Sequence, residues 1–548
     1  MTWLLLGVIF VGALLLRWPD LDRRPMHNDE AVNAIKFKGL WEEGRYAYDP
    51  DEYHGPTLYY LTLPLAKLSG AKNFGELTET PLRLVPLAFG LALILALPLL
   101  GSGLSRGALV GAAVWTALSP AMVFYSRYYI HELILVFFSF VVLAACWRYL
   151  ERPRLGWALL AGAGVGLMYA TKETFVIQMA ALGVGLVGAW AWASYERIPS
   201  KEIPRIEPMN PCAPLSPTLS PRFAWGEGGD LSILGMSLKL THLAAAVVVM
   251  VVVSVVLFSS FFTHWAGVLD AVRTYLPMVK RASGHSPHIH PWYFYVERLA
   301  WFHVGKGPVF TELLILVLAL IGAGAAFLGR GLGDTQVRLA RMLALYTLFL
   351  AVVYSAISYK TPWCFLGFWH GAILLAGIGT MVLLQLATLR WIRAGMAILL
   401  AAGAVHLGIG AWRSTHEYAA SRLNPYVYGH TSTDILKLVE KVEGLAQVHP
   451  QRHDMLLKVM ADHGDYWPLP WYLRRFKNVG WYDRVPDDPK APVMICAASF
   501  EANFDAREPR THLMAGMFQL RPKQVFELYA QTELWKAYLP TIKRAEED

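Results

Sequence analysis

The chain has 548 residues, of which 55% are hydrophobic and only 16% are charged, and its formal net charge is +8. Soluble globular domains carry about 25% charged residues, so this composition excludes an ordinary soluble protein and indicates a multi-pass membrane protein. Much of the positive charge lies in short segments between apolar blocks. It is therefore no sign of nucleic-acid binding, and no nucleic acid is expected as a partner.

Eleven apolar blocks have lengths suited to membrane spans. They lie at about 3–17, 82–101, 107–125, 129–149, 155–171, 174–194, 240–261, 310–328, 338–356, 363–386 and 392–412. Arginines concentrate in alternate connections, which places the N-terminus in the cytoplasm by the positive-inside rule. We therefore expect an all-α protein of the cell membrane whose C-terminal tail lies outside.

The apolar blocks divide the chain into a transmembrane domain, residues 1–412, and a small extracytoplasmic α/β domain, residues 413–548. The first loop (18–81) and the loop 262–309 are expected on the outside. The Pro-rich segment 198–230 has no apolar periodicity, which predicts a disordered cytoplasmic linker. In the tail, the pattern predicts a helix at 433–445 and strands at 454–460 and 493–497.

The first loop carries its own helical signals. Asn28 or Asp29 suits the cap of a helix that begins near Glu30 and ends at Gly44. Pro56 suits the first turn of a second helix over 57–68. Both patterns are amphipathic, which predicts two short helices on the membrane surface.

The adjacent acids Asp29 and Glu30 are the strongest catalytic candidates. A carboxylate just outside a bilayer can take a proton from an attacking hydroxyl, or bind a divalent cation such as Mg²⁺ or Mn²⁺. Acids also favour the first turn of a helix, because they complement the helix dipole. The residues alone leave the catalytic, metal-binding and capping roles open.

Further polar residues lie near the outer ends of the apolar blocks and are candidates for binding a charged sugar donor. They are His54, Arg127, Tyr128, His131, Glu132, Lys172, Glu173, Tyr359 and Lys360. Arg127 suits bidentate binding of a lipid phosphate, and Lys172 or Lys360 suits a phosphate contact during transfer. Structural roles stand beside these: an interfacial anchor for Arg127 and a self-paired ion pair for Lys172 and Glu173.

The loop 262–309 is rich in histidine. His285, His288 and His290 follow one another closely, but their spacing matches no strong zinc signature. We expect a basic loop that closes over a charged donor.

Together these features resemble a known family. An Asp-Glu pair after the first span, a His-Gly-Pro turn before an aromatic helix and the Arg127-Tyr128 turn are similar to the GT-C glycosyltransferases. Within them, residues 1–412 look most like the protein O-mannosyltransferase and aminoarabinose-transferase branch. Tyr359–Cys364 and Tyr466–Tyr472 resemble a narrower group, the flippase-associated membrane proteins found with archaeal-type N-glycosylation genes.

The resemblance implies a polyprenyl-phosphate-linked sugar as donor and an acceptor protein, lipid or glycan, with inverting transfer on the outer face. Asp29 matches the first-loop acid that serves as base or metal contact, and Glu30 is its neighbour. A lipid-linked-sugar flippase, or a flippase-accessory protein, is the alternative. It would need a polar path through the spans, and the cytoplasmic halves carry few charges. A catalytically inactive assembly partner is a third reading.

Overall fold

The computed structural model describes residues 2–51, 54–196, 224–225, 230–233, 236–277 and 288–547. Helices dominate the first three quarters of the chain, and a small sheet lies in the tail. In chain order the described helices up to residue 415 are α1 (Thr2–Arg17), α2 (Asn28–Glu43), α3 (Thr57–Leu68), α4 (Glu79–Ala96), α5 (Arg106–Leu118), α6 (Pro120–Tyr125), α7 (Glu132–Glu151), α8 (Leu155–Tyr169), α9 (Phe175–Glu196), α10 (Leu240–Phe258), α11 (Ala266–Arg273), α12 (Phe294–Ala300), α13 (Leu313–Leu328), α14 (Asp334–Ala356), α15 (Leu366–Leu386) and α16 (Arg390–Thr415).

Each of the eleven predicted blocks contains an apolar helix. Among the described residues, seven helical stretches are long and apolar enough to cross a membrane; these are Glu79–Gly103, Glu132–Glu151, Phe175–Glu196, Leu240–Phe258, Asp334–Ala356, Pro362–Leu386 and Arg390–Thr415. The helices α1, α5, α8 and α13 are apolar but shorter. The multi-pass membrane class is thus confirmed, whereas the count of eleven spans stays a prediction. Pro120, which cannot continue a helix interior, begins α6 after α5 ends.

Helix α15 lies at the centre of the bundle. Every residue from Leu366 to Gly379 is buried, and the helix packs against α5, α7, α13 and α14. Small residues permit this packing: a Cβ atom at Gly379 would lie 1.9 Å from the Leu318 carbonyl oxygen of α13. Close helix approach at small residues is a common way to pack helices in a bilayer.

Most of the predicted linker 198–230 lies outside the described residues. Two of its described parts belong to a three-stranded antiparallel sheet that precedes α10. The strands are β1 (Ala224–Trp225), β2 (Asp230–Ile233) and β3 (Met236–Lys239).

The tail forms an α/β unit with strands β4 (Leu457–Met460), β5 (Val479–Tyr482), β6 (Val493–Ala497), β7 (His512–Arg521) and β8 (Gln524–Gln531). Their order in the sheet is β5-β4-β6-β8-β7. The first three run parallel, and β8 and β7 are antiparallel to their neighbours. The helices α17 (Asp434–Val448) and α19 (Thr532–Glu547) pack on one another, and α17 also packs on β7. The short helix α18 (Leu469–Tyr472) contacts α2.

The tail unit packs directly on the first loop. Trp471 donates its indole N–H to Glu79 (2.8 Å), and the Tyr472 hydroxyl accepts the backbone N–H of Met26 (2.8 Å). Arg521 donates to the Asn28 side chain (2.7 Å), at the start of α2. The predicted catalytic loop therefore lies between the membrane helices and the tail.

Candidate active site

Glu30 lies at the centre of a buried network and is fully inaccessible to solvent. One of its oxygens accepts hydrogen bonds from Arg24 (2.9 Å), Arg83 (2.9 Å) and the backbone N–H of Tyr129 (3.0 Å). The other accepts from Arg83 (3.1 Å) and the backbone N–H of His27 (3.0 Å). Burial alone would raise the pKa of Glu30, but the charges of Arg24 and Arg83 and these hydrogen bonds hold it below its usual range.

This position gives Glu30 a structural role, and its expected part in catalysis or metal binding stays a prediction. Both of its oxygens are already used, and the side chain joins the first loop to α4 and to the turn before α7. Removing one partner of such a buried ion pair would leave an uncompensated charge, so Glu30 helps to hold the first loop in place.

Asp29, its neighbour, is exposed instead. The helix cap is His27, not Asn28 or Asp29 as expected: His27 Nδ1 accepts the backbone N–H of Asp29 (3.1 Å), and Glu30 completes a capping box. The Asp29 side chain is 51% exposed, and its nearest ionic partner is His27 Nδ1 at 3.9 Å. The cap hydrogen bonds therefore come from His27 and Glu30 and not from the Asp29 carboxylate.

A surface that we call the facing wall lies near the Asp29 carboxylate; it consists of residues 288–290, 358–360 and Tyr428. Two histidines share the Tyr428 hydroxyl, which lies 2.8 Å from His288 Nδ1 and 2.8 Å from His290 Nε2. The Tyr428 carbonyl oxygen lies 2.9 Å from His27 Nε2. The facing wall thus joins the loop before α12, the turn before α15 and the segment before the tail unit.

His27 links Asp29 to this wall, because its Nδ1 lies 3.9 Å from the Asp29 carboxylate and its Nε2 lies 2.9 Å from the Tyr428 carbonyl oxygen. Burial lowers the pKa of His288, and the charge of Asp29 opposes that shift. Burial and, next, the charge of Asp29 raise the pKa of Tyr359 to about 12. The charges of Asp29 and Lys172 act on the pKa of Tyr359 in opposite directions.

Lys172 belongs to a second polar cluster, at the ends of α7 and α8. Its ammonium donates to Glu132 in a buried ion pair, and Glu173 pairs with His54 (2.8 Å). The expected self-pairing of Lys172 with Glu173 is therefore wrong. The His131 ring packs against the His54 ring, with centroids 5.2 Å apart.

The His-Gly-Pro turn fixes this cluster. His131 Nε2 lies 3.1 Å from the Gly55 carbonyl oxygen, and the backbone N–H of Gly55 donates to Thr171 (3.1 Å). A Cβ atom at Gly55 would lie 2.1 Å from the Ala170 carbonyl oxygen, so this contact requires glycine. The turn thereby holds His54 over Glu173.

Arg127 and Tyr128 lie under the first loop. The Arg127 guanidinium donates to the backbone carbonyls of Arg17 (3.2 Å) and Asp20 (2.7 Å). The Tyr128 hydroxyl lies 2.9 Å from His430 Nδ1, and the Arg24 guanidinium stacks on the Tyr128 ring at 4.0 Å. Arg127 is 4% exposed, and its N–H groups hold the first loop through these backbone carbonyls. The expected contact between Arg127 and a lipid phosphate stays a prediction.

Lys360 is similarly occupied. Its ammonium donates to the backbone carbonyls of His290 (3.0 Å) and Ile357, and its backbone N–H donates to His288 (2.8 Å). Lys360 therefore joins residues 288–290 of the facing wall to residues 358–360, beside Tyr359.

Several site residues escaped the sequence reasoning. Arg83 could have been identified from the sequence, because an arginine inside an apolar helix needs an acid partner. His27 had a weaker one, since it directly precedes Asn28 and the acids. Tyr428 and His430 had none, because they lie about 400 residues from the first loop and meet it only in the folded chain.

Within the described ranges, no group of three or more His, Cys, Asp or Glu side chains has the geometry of a metal site. His285 lies outside those ranges. A divalent cation at Asp29 stays a prediction.

Three comparisons with known proteins bear on this arrangement. Residues 59–266 match the family of dolichyl-phosphate-mannose-protein mannosyltransferases. The search of curated proteins found no match.

Solved structures share the fold. The archaeal oligosaccharyltransferase AglB from Archaeoglobus fulgidus, solved with an inhibitory peptide and a dolichol-phosphate, aligns with a TM-score of 0.54 at 13% identity, over 91% of this chain and 70% of its own. ArnT from Cupriavidus metallidurans aligns with a TM-score of 0.57 at 16% identity, over 96% of this chain and 98% of its own. ArnT bound to undecaprenyl phosphate aligns with a TM-score of 0.53. The ArnT alignment covers the membrane helices and the tail unit together.

Proposed function

We propose that the chain is a membrane glycosyltransferase of the GT-C type, which transfers a sugar from a polyprenyl phosphate to an acceptor hydroxyl with Asp29 as general base. The match of residues 59–266 to the mannosyltransferase family and the fold shared with AglB and ArnT support this proposal. One observation carries the assignment of Asp29. In the first turn of α2, His27 and Glu30 perform the capping, which leaves the Asp29 carboxylate half exposed beside His27, whose ring contacts Tyr428 of the facing wall.

The reaction then proceeds by direct displacement. Asp29 accepts the proton of the acceptor hydroxyl as the hydroxyl oxygen forms its bond to C1 of the sugar. The bond between C1 and the phosphate oxygen breaks, and the polyprenyl phosphate leaves with the electron pair. Attack opposite the leaving group inverts the configuration at C1. A positioned general base contributes about 10²–10⁴-fold to such a rate.

The leaving phosphate is assigned to the Lys172 side of Tyr359. The charges of Asp29 and Lys172 both act on the pKa of Tyr359, and in our proposal a sugar phosphate beside its ring has the base at one end and the cation at the other. Lys172 shares one of its protons with Glu132, and an ammonium has two more to donate. A cation there would stabilise the charge that develops on the departing phosphate.

The acceptor is assigned to the tail side of α2. A cavity of about 440 Å³ is lined there by Asn28, by residues 462–465 and by Trp467, among others. Asn28 is the residue next to Asp29, so an acceptor in this cavity has a short path to the base. An indole face and polar side chains suit a hydroxyl-bearing acceptor.

The same proposal places the chemistry outside the cytoplasm. Its support is the concentration of arginine in alternate connections, which assigns the first loop, the facing wall and the tail unit to one side. This orientation is tested by introducing single cysteines into the tail unit and labelling them in intact cells.

The assignment of Asp29 is tested in cells that lack the protein and carry wild type, Asp29→Asn or Asp22→Asn. Asp22 is an exposed acid of the same loop and serves as the matched control. We expect Asp29→Asn to accumulate one polyprenyl-phosphate sugar and to lose that sugar from surface glycans, as the deletion does, while Asp22→Asn behaves like wild type. If deletion blocks glycan assembly and Asp29→Asn does not, the transport alternative replaces our proposal.

A further inference from the structure

Helix α11 has its large apolar side chains on the side that faces away from the protein. Six of them, in the helix and in the segments that flank it, are between 54% and 70% exposed; they are Phe261, Phe262, Trp265, Leu269, Val272 and Leu276. We call this set the apolar face of α11. Trp265, Leu269 and Val272 follow the spacing of one helix side, and the centroids of the Phe262 and Trp265 rings lie 5.6 Å apart. An exposed apolar patch of this kind indicates an apolar partner outside the protein.

The opposite side of α11 carries small residues and is covered by the protein itself. Gly267, Ala271 and Thr274 are buried. A Cβ atom at Gly267 would lie 2.2 Å from the Phe258 carbonyl oxygen at the end of α10, and the Thr274 hydroxyl donates to the Pro50 carbonyl oxygen of the first loop (3.1 Å). The apolar face therefore cannot turn into the core without breaking these contacts.

A strained turn joins α10 to α11. Ser260, Phe261 and Phe262 have φ angles of 51°, 54° and 69°, in the left-handed region that residues with bulky side chains rarely adopt. Hydrogen bonds hold the turn: the backbone N–H of Phe262 donates to the Ser259 hydroxyl (3.0 Å), and the Ser260 hydroxyl accepts the backbone N–H of Tyr46 (2.9 Å). Strained backbone persists where its surroundings fix it, so the outward position of both phenylalanines is fixed by the fold.

The end of α10 gives the depth of α11 in the membrane. Helix α10 has 19 residues and is apolar enough to cross a bilayer, and Leu240, Val248 and Val252 are among its exposed apolar residues. At about 1.5 Å per residue it is about 28 Å long, close to the thickness of the hydrocarbon core, which is about 30 Å. Phe258, its last residue, therefore lies near the edge of the hydrocarbon, and α11 begins a short turn later. The apolar face of α11 thus adjoins the lipid-facing surface of α10.

We propose that the apolar face of α11 is embedded in the bilayer, between the lipid headgroups and the acyl chains. Helices with aromatic and aliphatic side chains on one face lie in this plane of a membrane, and tryptophan is enriched there. Arg273, in the last turn of α11, is exposed and long enough to reach the headgroups. The contacts of Ser260 and Thr274 then hold the first loop at the membrane surface. This anchor is independent of the sugar transfer proposed above.

The test uses the purified full-length protein in phosphatidylcholine nanodiscs that also contain a phosphatidylcholine with a photoactivatable diazirine on its acyl chain. Light crosslinks this lipid to the residues that it touches, and mass spectrometry with fragmentation locates the adducts. Hydroxyl radicals generated in the water report the residues that water reaches. Wild type is compared with Leu269→Glu/Val272→Glu and with the control Leu456→Glu/Met517→Glu, which adds two charges at exposed apolar positions of the tail unit.

In wild type we expect lipid adducts on Trp265 and Leu269, as on α10, and little oxidation of Trp265, whereas Met517 is oxidised and carries no lipid. Leu269→Glu/Val272→Glu should lose the adducts on Trp265 and gain oxidation there, and the control should behave like wild type at Trp265. Oxidation of Trp265 without lipid adducts in wild type would place the apolar face in water and overturn the proposal. Protection of Trp265 from both probes would mean that protein, such as a second copy of this chain, covers the face, and would overturn the proposal as well.

Discussion

Glu30→Gln tests whether the buried Glu30 carboxylate stabilises the protein. The substitution keeps the size of the side chain and removes the charge that faces Arg24 and Arg83. It also replaces one acceptor oxygen, which takes at least two hydrogen bonds in the wild type, with an NH₂ group that donates. Removing one partner of a buried ion pair costs about 3–5 kcal/mol, because the remaining charge stays buried and unpaired.

The size of the thermal effect follows from the length of the chain. At an unfolding entropy of about 2 cal/mol/K per residue, a chain of this length loses about 1 °C per kcal/mol. We therefore expect the apparent melting temperature of detergent-solubilised Glu30→Gln to fall by about 3–5 °C. Glu42→Gln, in the same helix, is the control: its side chain is 48% exposed and pairs with Lys38 only at 3.8 Å, so its melting temperature stays within about 1 °C of wild type.

A melting temperature of Glu30→Gln equal to that of the wild type would refute the reasoning. It would mean that the two arginines find other partners at no cost, and that the buried network does not hold the first loop. Asp29→Asn should leave the melting temperature unchanged, since Asp29 is half exposed.

Three further predictions concern the site. Tyr428→Phe removes the hydroxyl shared by the two histidines of the facing wall. We expect the transfer rate in a membrane assay to fall about tenfold while the melting temperature changes little. An unchanged rate would mean that the facing wall takes no part in the reaction. Gly55→Ala places a Cβ atom 2.1 Å from a backbone oxygen, so we expect loss of folded protein in size-exclusion chromatography, whereas Gly39→Ala, with open space around it, should fold normally. If a divalent cation acts at Asp29, EDTA abolishes transfer and Mg²⁺ or Mn²⁺ restores it; full activity in EDTA contradicts that prediction.

Much of the fold follows from the sequence by simple physics. Long apolar blocks must become helices in a bilayer, and each predicted block contains one. Local signals also placed α3 at residues 57–68 and a strand at residues 493–497, with the bounds that the structure has. Periodicity and turn chemistry act over a few residues, so they survive folding.

The pairing of charges did not follow from the sequence. Lys172 and Glu173 are adjacent but pair with Glu132 and His54, because neighbouring residues at a helix end point in different directions. Glu30 is buried and Asp29 is exposed because Arg24 and Arg83 pair with Glu30, and these two arginines lie outside the Asp-Glu motif. Tyr428 completes the site from the far end of the chain. Such contacts are set by tertiary packing, so a single sequence can show that Arg83 needs an acid partner but not which acid it is.

The most direct test of the central claim is the initial rate of sugar transfer by purified wild type and Asp29→Asn, with the polyprenyl-phosphate sugar that accumulates in deletion cells. Loss of a general base predicts a rate at least about 10²-fold lower for Asp29→Asn, with an unchanged melting temperature. An Asp29→Asn protein that transfers sugar at the wild-type rate would contradict the account.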